Sequence, residues 1–365
     1  MTRRLRLSLS AWRRLATRID HNQSRLRLRT KLAYWLASAG HSLLFRLQDA
    51  SHAEALKVAS PTPPVFVLGF WRSGTTLLHE LLCSDPQFGF PSTYACMNPS
   101  HFLLTEAWAS GRKTPRTANR PMDNMLYSWA SPQEDEFALL ALGAPSPYES
   151  VIVPSLMRDP RILLDIRLRS SAEQKRWGDA LKHFLLLLTV QQAKTMVFKS
   201  PPHGFKLPLL LSMFPGARYV IIERNPYEVF ASNLKLWKTL LSMYAVESFS
   251  PDEIEQFIVN AYLMHEKAIA EGVSMAARSQ LAFVRYEELS ADPIGQMQRL
   301  YRELDLGDFD RARAPIEKYI AGAAGHARNC FTLSSVQKAR VEHSWGTIIT
   351  AKDYSWPQQY LSLAS

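Results

Sequence analysis

The segment 65–82 contains residue types at a spacing that suits the binding of a phosphate-like anion. Within it, Gly69 and Gly74 stand five positions apart, and Thr75 and Thr76 follow directly. Such a loop aims several backbone N–H groups at one point, and a helix after it adds the positive end of its dipole. A nucleoside triphosphatase places a lysine where this chain has Thr75. The loop therefore predicts a site for a tetrahedral oxyanion that does without that lysine.

Basic and hydroxyl side chains elsewhere could supply the charge that the loop lacks. Arg72 lies inside the loop, and its planar guanidinium suits oxyanions. Lys199 follows the apolar run TMVF, and Arg224 ends the run ARYVIIER with Ser232 eight residues later. Arg224 and Ser232 could bind a second phosphate. The alternatives are that Lys199 is a surface residue and that Arg224 pairs with an acid of the next helix.

A general base is needed if the bound group is to be transferred to a hydroxyl. One candidate is His203, four positions after Lys199. The other is an acid of the run Glu134, Asp135 and Glu136, among which Glu134 is preferred. His203 could instead cap the following helix, and the acids could form an exposed helix start, so the identity of the base stays open.

The elements around these residues alternate between apolar strands and helices. The runs 65–69, 195–200, 217–224 and 281–286 read as buried parallel strands, and helical patterns separate them. This order predicts an α/β fold of the P-loop type, with three layers and a central parallel sheet of about four to five strands. Residues 61–365 form this domain, and the Pro-, Ser- and Asn-rich stretch at about 91–150 forms a lid.

The two ends of the chain have a different character from the domain. Residues 1–60 read as a basic amphipathic helical extension that ends at SPTPP, and the tail after residue 325 reads as irregular and aromatic. The extension either packs on the domain or makes peripheral contact with a membrane. Trp108, Tyr127, Trp129 and Phe137 could line an acceptor pocket in the lid, although ordinary packing also accounts for them.

The net charge of +10 resides in the extension. Residues 1–46 contain ten arginines and one lysine against one acid, and the remaining residues carry 32 charges of each sign. A localised basic arm meets an anionic surface and does not indicate specific nucleic-acid binding. Three scattered cysteines exclude a disulfide framework, and no signal peptide is evident. We therefore expect a cytoplasmic protein, with the inner membrane surface as a place of peripheral contact.

Three segments, in order, give the chain a specific resemblance. PPVFVLGFWRSGTTLLHELL resembles the 5′-phosphosulfate loop of sulfotransferases, FPGARYVIIERNPYEVFASN resembles their 3′-phosphate motif, and FVRYEELSADP resembles the segment whose tyrosine flanks the adenine. The similarity runs from about residue 64 to 305, and SPQEDEFAL is similar to a bacterial branch. Two departures concern the base: His203 lies two positions later than in cytosolic members, and 88–99 lacks the glutamate of other branches.

The resemblance implies 3′-phosphoadenosine 5′-phosphosulfate as the donor, without a metal. It implies that Lys199 stabilises the leaving phosphate. The donor-binding residues that it implies are Arg72, Ser73, Gly74, Thr75 and Thr76 for the phosphosulfate, Arg224 and Ser232 for the 3′-phosphate, Tyr286 for the adenine and Arg328 in a late basic loop.

The expected function is therefore in-line transfer of a sulfuryl group to a hydroxyl or amine of a small-molecule or lipid-like acceptor. An atypical P-loop kinase or nucleotide hydrolase is the alternative, but it needs an aspartate at a strand end for Mg²⁺. A non-catalytic protein that binds nucleic acid or lipid through the arm is a third interpretation, and it would not need the loop, Arg224 and Ser232 on one sheet edge.

Overall fold

The computed structural model of the protein describes residues 6–19, 28–110, 118–119, 126–323 and 333–356, with only the backbone at 28, 110, 118–119, 126–127 and 323. The strands of the described part are β1 (Val65–Leu68), β2 (Phe88–Gly89), β3 (Ala118–Asn119), β4 (Leu126–Tyr127), β5 (Thr195–Lys199), β6 (Arg218–Glu223) and β7 (Leu281–Arg285). Its helices are α1 (Leu9–Ala16), α2 (Leu28–Ser51), α3 (Ala53–Val58), α4 (Thr75–Cys83), α5 (Thr93–Met97), α6 (Phe102–Ser110), α7 (Glu136–Leu142), α8 (Glu149–Ile152), α9 (Pro160–Leu164), α10 (Ser171–Gln192), α11 (Leu207–Met213), α12 (Pro226–Tyr244), α13 (Pro251–Met275), α14 (Tyr286–Ala291), α15 (Pro293–Leu304), α16 (Phe309–Ala323) and α17 (Ser335–Ala351).

The central sheet has five strands in the order β2–β5–β1–β6–β7, and all of its pairs are parallel. The four strands predicted from the sequence are present, and the short β2 adds one edge. β3 and β4 form a separate antiparallel pair. The predicted α/β fold with a parallel sheet of four to five strands is therefore confirmed.

Both faces of the sheet are covered by helices. Alternate residues point to opposite faces: Phe66 and Phe198 pack into one apolar cluster, and Val65 and Val197 into another. The first cluster includes residues of α10, α11 and α13, and the second includes residues of α4, α15 and α16. Strands buried on both faces explain why their sequences are continuous apolar runs.

The first helix of the basic extension packs on the domain. Its apolar face is buried, and Ser8 N donates to the carbonyl of Ala141 at 2.7 Å. Arg14 donates to the buried carboxylate of Glu149 at 2.7 Å. Because that carboxylate is buried, the ion pair joins α1 to the core of the domain and is not a surface ion pair.

The C-terminal part of the chain differs from the sequence prediction. Instead of an irregular tail, the structure has α17, a helix of 17 residues that begins at the N-cap Ser334 and buries Val341 and Trp345. The helix has apolar residues scattered among polar ones, so its sequence shows no clear helical periodicity. Packing against α12 and α13 stabilises it. Residues 324–332 lie outside the described part, and with them the predicted donor residue Arg328.

Candidate active site

The loop between β1 and α4 has the backbone conformation of an anion-binding turn. Arg72 has φ 70° and Gly74 has φ 99°, both in the left-handed region. A Cβ at Gly69 would lie 2.5 Å from Ser73 Oγ and 2.7 Å from the carbonyl oxygen of Ile222, so only glycine fits. Within the described part of the chain, the buried Oγ of Ser73 has no hydrogen-bond partner. The loop is therefore closely packed from behind and keeps a polar group for a ligand.

Lys199 lies at the carboxyl end of β5, beside the start of α4. Its Nζ is 3.5 Å from Thr76 Oγ1 and donates to Glu134 Oε1 at 2.9 Å. The Lys199 side chain is 2% exposed and that of Glu134 is 12% exposed. The structure thus joins the predicted lysine, the loop and one of the predicted bases in a cluster whose charged side chains are largely buried.

The other carboxylate oxygen of Glu134 accepts a hydrogen bond from the hydroxyl of Tyr148. Trp71 Nε1 donates in turn to that hydroxyl at 3.1 Å. Burial and the adjacent Glu134 charge raise the pKa of Tyr148 well above its ordinary value, so the phenol stays a donor. Lys199 and Tyr148 therefore fix the Glu134 side chain in one orientation.

His203, the other predicted base, lies in the interior. It is fully buried, with its ring edge-on to Phe66 and Trp177. Its Nε2 is 2.7 Å from Asp135 Oδ2, and Ser200 Oγ donates to Asp135 Oδ1 at 2.8 Å. Although burial acts to raise the pKa of Asp135, its contacts with His203 and Ser200 outweigh this and lower it. This geometry makes His203 a fully buried partner of Asp135.

The third acid of the run, Glu136, is also paired. Lys206 Nζ donates to its two oxygens at 3.1 and 3.2 Å and lies over the ring of Trp177 at 4.5 Å. Burial lowers the pKa of Lys206, against the effect of the Glu136 charge. Each of the three consecutive acids therefore takes a partner from residues 199–206.

A second group of predicted residues meets on the other side of the loop. Arg72 Nε donates to Ser232 Oγ at 2.8 Å, and Arg224 Nη1 donates to the carbonyl of Arg72 at 3.2 Å. The Arg224 guanidinium lies 4.3 Å from the centre of the Tyr286 ring, and its Nε donates to Glu228 at 2.9 Å. The pairing of Arg224 with a helix acid is thus present, and it leaves the arginine beside the other predicted phosphate ligands.

Sequence reasoning missed the residues that hold Glu134 and its neighbours in place. Tyr148, Trp71, Ser200 and Lys206 contribute to these contacts, and the sequence analysis assigned none of them a role. The segment KSPPHGFK contained a usable signal for these pairings. It has two lysines and a histidine at the end of one strand, which is one basic side chain for each of the three acids of QEDE.

Comparison with known proteins identifies the group to which this chain belongs. The model of the Sulfotransferase family matches residues 63–311. The omega-hydroxy-beta-dihydromenaquinone-9 sulfotransferase Stf3 of Mycobacterium tuberculosis is 34% identical over 348 residues, which cover 95% of this chain and 90% of that protein. Sulfotransferase STF9 from Mycobacterium avium has a TM-score of 0.67 at 19% identity, covering 96% of this chain and 97% of its own. STF1 from M. tuberculosis has a TM-score of 0.67 at 20% identity, covering 93% of each chain.

The two structural neighbours share the fold, and the family match and the relative at 34% identity extend the likeness to the chemistry. The kinase or hydrolase alternative finds no support among them. The chain belongs to the sulfotransferase family and is an enzyme that transfers a sulfuryl group from the family's donor, 3′-phosphoadenosine 5′-phosphosulfate.

Proposed function

We propose that this sulfotransferase acts on the hydroxyl of a lipid-like small molecule, with Glu134 as the general base and Lys199 as the cation at the leaving phosphate. The observation that carries the proposal is the contact between Lys199 and Glu134 beside Thr76 at the start of α4. A base and a cation that lie within hydrogen-bond reach of each other can act on the two ends of one transferred group.

The residues of the loop fit the donor that the family uses. Amides of 69–74, the unpartnered Ser73 hydroxyl and the threonines at the start of α4 would bind the phosphosulfate. Arg224, Ser232 and the Tyr286 ring would bind the 3′-phosphate and the adenine. Arg328 is proposed from the resemblance and lies outside the described residues.

The charges of this site support a reaction without a metal. Negative charge that develops on the leaving phosphate can be neutralised by the side chains of Lys199 and Arg72. We expect turnover to be unchanged by EDTA and by added Mg²⁺. A strict Mg²⁺ requirement would contradict this part of the proposal.

The proposed acceptor class comes from the relative and from the surroundings of Glu134. Stf3 is named for an omega-hydroxylated dihydromenaquinone. In this chain, Phe137 stacks on Tyr148 with ring centroids 4.8 Å apart, and Tyr148 contacts Glu134. Aromatic surface beside the base suits an acceptor with a greasy body and a terminal hydroxyl.

The proposed place of action is the cytoplasm, at the inner membrane surface, because a lipid-like acceptor would partition into the bilayer. Cys83 and Cys96 are both free thiols, as expected in a reducing compartment. Among the described residues, no helix is long and apolar enough to cross a membrane.

The test compares two substitutions in an assay with labelled donor and a panel of ω-hydroxylated isoprenoid quinols, phenols and amines. Glu134→Gln should lower kcat by roughly 10² to 10⁴-fold, because it removes the base and keeps the shape. Its affinity for adenosine 3′,5′-bisphosphate, measured by calorimetry, should change little. His203→Asn should lower the melting temperature and, below that temperature, change kcat by less than about tenfold.

The opposite pattern would reassign the base. If His203→Asn abolished transfer in a folded protein while Glu134→Gln retained it, the proposed role of Glu134 would be wrong. Transfer to amines alone, with none to hydroxyl lipids, would overturn the acceptor class.

A further inference from the structure

Helix α2 exposes four of its leucines. Leu32, Leu36, Leu43 and Leu47 are 59%, 69%, 69% and 54% exposed. At 100° per residue these four positions fall within about 60° of one another, so they form a single stripe along the helix. A continuous apolar stripe on a solvent-exposed surface indicates a binding site for another protein or a membrane.

The face of α2 that points inward carries buried polar residues as well as the aromatic rings of Tyr34 and Phe45, which contact Trp12 and His183. Ser38 and Gln48 are fully buried, and Gln48 bonds to the carbonyl of Pro99 at 3.0 Å and to the amide of Leu103 at 2.9 Å. The hydroxyl of Ser42 accepts from Leu9 N at 2.9 Å. Hydrogen bonds and these aromatic contacts attach the helix on its inward face, and the leucine stripe is left outside.

We propose that the outward face of α2, defined by Leu32, Leu36, Leu43 and Leu47, docks on the surface of an anionic lipid bilayer. The helix, 24 residues and therefore about 36 Å long, would lie in the plane of the interface with its leucines among the acyl chains. This inference goes beyond the proposed acceptor chemistry and rests on α2 alone.

The charges on α2 specify the kind of bilayer. Arg29 and Arg46 are exposed, and by helical spacing they lie on or next to the leucine stripe. The one acid of the helix, Asp49, is 3.1 Å from His183 Nε2 and is directed at the domain. Exposed arginines beside leucines, without a competing carboxylate, complement anionic headgroups.

The same charges argue against a second copy of the chain as the occupant. A two-fold interface pairs a patch with itself, so both copies would bring Arg29 and Arg46 into the contact. No acid of α2 is available on that face to neutralise them. Lipid headgroups remove this repulsion, and self-association would not.

The experiment is flotation of the full-length protein with phosphatidylcholine vesicles, with and without phosphatidylglycerol. We expect binding to the vesicles that contain phosphatidylglycerol, and a loss of roughly tenfold or more in partitioning for Leu36→Glu with Leu43→Glu. Arg29→Gln and Arg46→Gln should each weaken binding to anionic vesicles by roughly fivefold. The matched control is Leu168→Glu with Val336→Glu, at positions 58% and 69% exposed outside α2, which should bind as the unmodified chain does.

Several results would overturn the proposal. One is absence of binding by the unmodified chain; another is equal binding by the α2 variant, shown by its melting curve to be folded. A dimer in light scattering that the α2 variant dissociates would assign the face to a second copy instead. Adenosine 3′,5′-bisphosphate binding and transfer to a water-soluble acceptor, measured on the same samples, separate this outcome from failure of the proposed function.

Discussion

At the scale of single residues, the site consists of buried charged and polar side chains that pair with one another. Each would be costly to bury without its partner. Lys199 is almost completely buried, and Glu134 provides its counter-charge at 2.9 Å. Removing one partner of such a pair leaves an uncompensated buried charge, which costs more than the pair contributes. The residues proposed for catalysis therefore also support one another structurally, and variants must keep shape and polarity to be informative.

Arg224 offers a direct test of the 3′-phosphate site. Arg224→Ala should weaken binding of adenosine 3′,5′-bisphosphate by roughly 100-fold, or about 3 kcal/mol, because it removes a charged fork from a phosphate. Arg218→Ala is the matched control: Arg218 begins β6, whereas Arg224 directly follows its end, and Arg218 bonds to the carbonyls of Leu304 and Gly216. Calorimetry on both variants checks the prediction, and equal affinities would contradict the assigned role of Arg224.

At the scale of elements, the loop between β1 and α4 is closely packed. Neighbouring residues approach its glycines so closely that no larger side chain fits there. The ring of Tyr286, at the start of α14, lies against Gly74. The loop after β1 therefore packs both on β6 and on Tyr286, the residue predicted to flank the adenine. A substitution in the loop should therefore change both the free energy of unfolding and the affinity for the donor.

Gly74→Ala tests this coupling. A Cβ there would lie 2.3 Å from the Tyr286 ring, at a φ that L-residues rarely adopt, so we expect destabilisation by about 2 kcal/mol and weaker bisphosphate binding. Gly346→Ala is the control, since Gly346 lies within α17 with open space around it. That change should stabilise the protein by about 0.5–1 kcal/mol. Urea unfolding measures both, and similar effects of the two changes would contradict the packing argument.

At the scale of the whole molecule, the segment after α17 joins parts of the chain that are distant in sequence. Lys352 Nζ donates to Glu223 at 2.8 Å, at the end of β6, and also pairs with Glu266 of α13. Its carbonyl accepts from Arg285 at 2.6 Å, at the end of β7. The C-terminal segment therefore connects two strand ends with α13, next to the position of Arg224.

This connection predicts a specific acid sensitivity. Although burial acts to raise the pKa of Glu266, His265 and Lys352 outweigh it and lower the pKa to about 2. A lowered folded-state pKa stabilises the protein above the unfolded value of about 4.5, and that stability, roughly 3 kcal/mol, is lost as the pH falls from there to about 2. Glu266→Gln should flatten the loss of unfolding free energy over this range.

The control for the acid experiment is Glu54→Gln, which changes an exposed pair with Lys57 and should leave the pH dependence as it is. Chemical unfolding at a series of pH values distinguishes the two variants. Identical slopes for Glu266→Gln and the unmodified chain would show that this group does not carry the proposed link.

The sequence by itself determined the type of fold and one side of the active site. Apolar strands alternating with helices specify a parallel sheet, and the carboxyl ends of parallel strands meet at one edge. For that reason the sequence alone predicts that Arg72, Thr76, Lys199 and Arg224 lie close together. The family resemblance then assigned chemistry to the same edge.

Only the tertiary structure gives a reason to propose Glu134 rather than His203 as the base, and that reason lies in contacts that no local pattern encodes. The two candidates are 69 positions apart, and the turn after β5 directs the histidine under the sheet to Asp135 while Lys199 takes Glu134. The outward direction of the α2 leucines was decided in the same way, by polar anchors such as Gln48. Periodicity shows that a helix has two faces, but long-range packing determines which of them is covered.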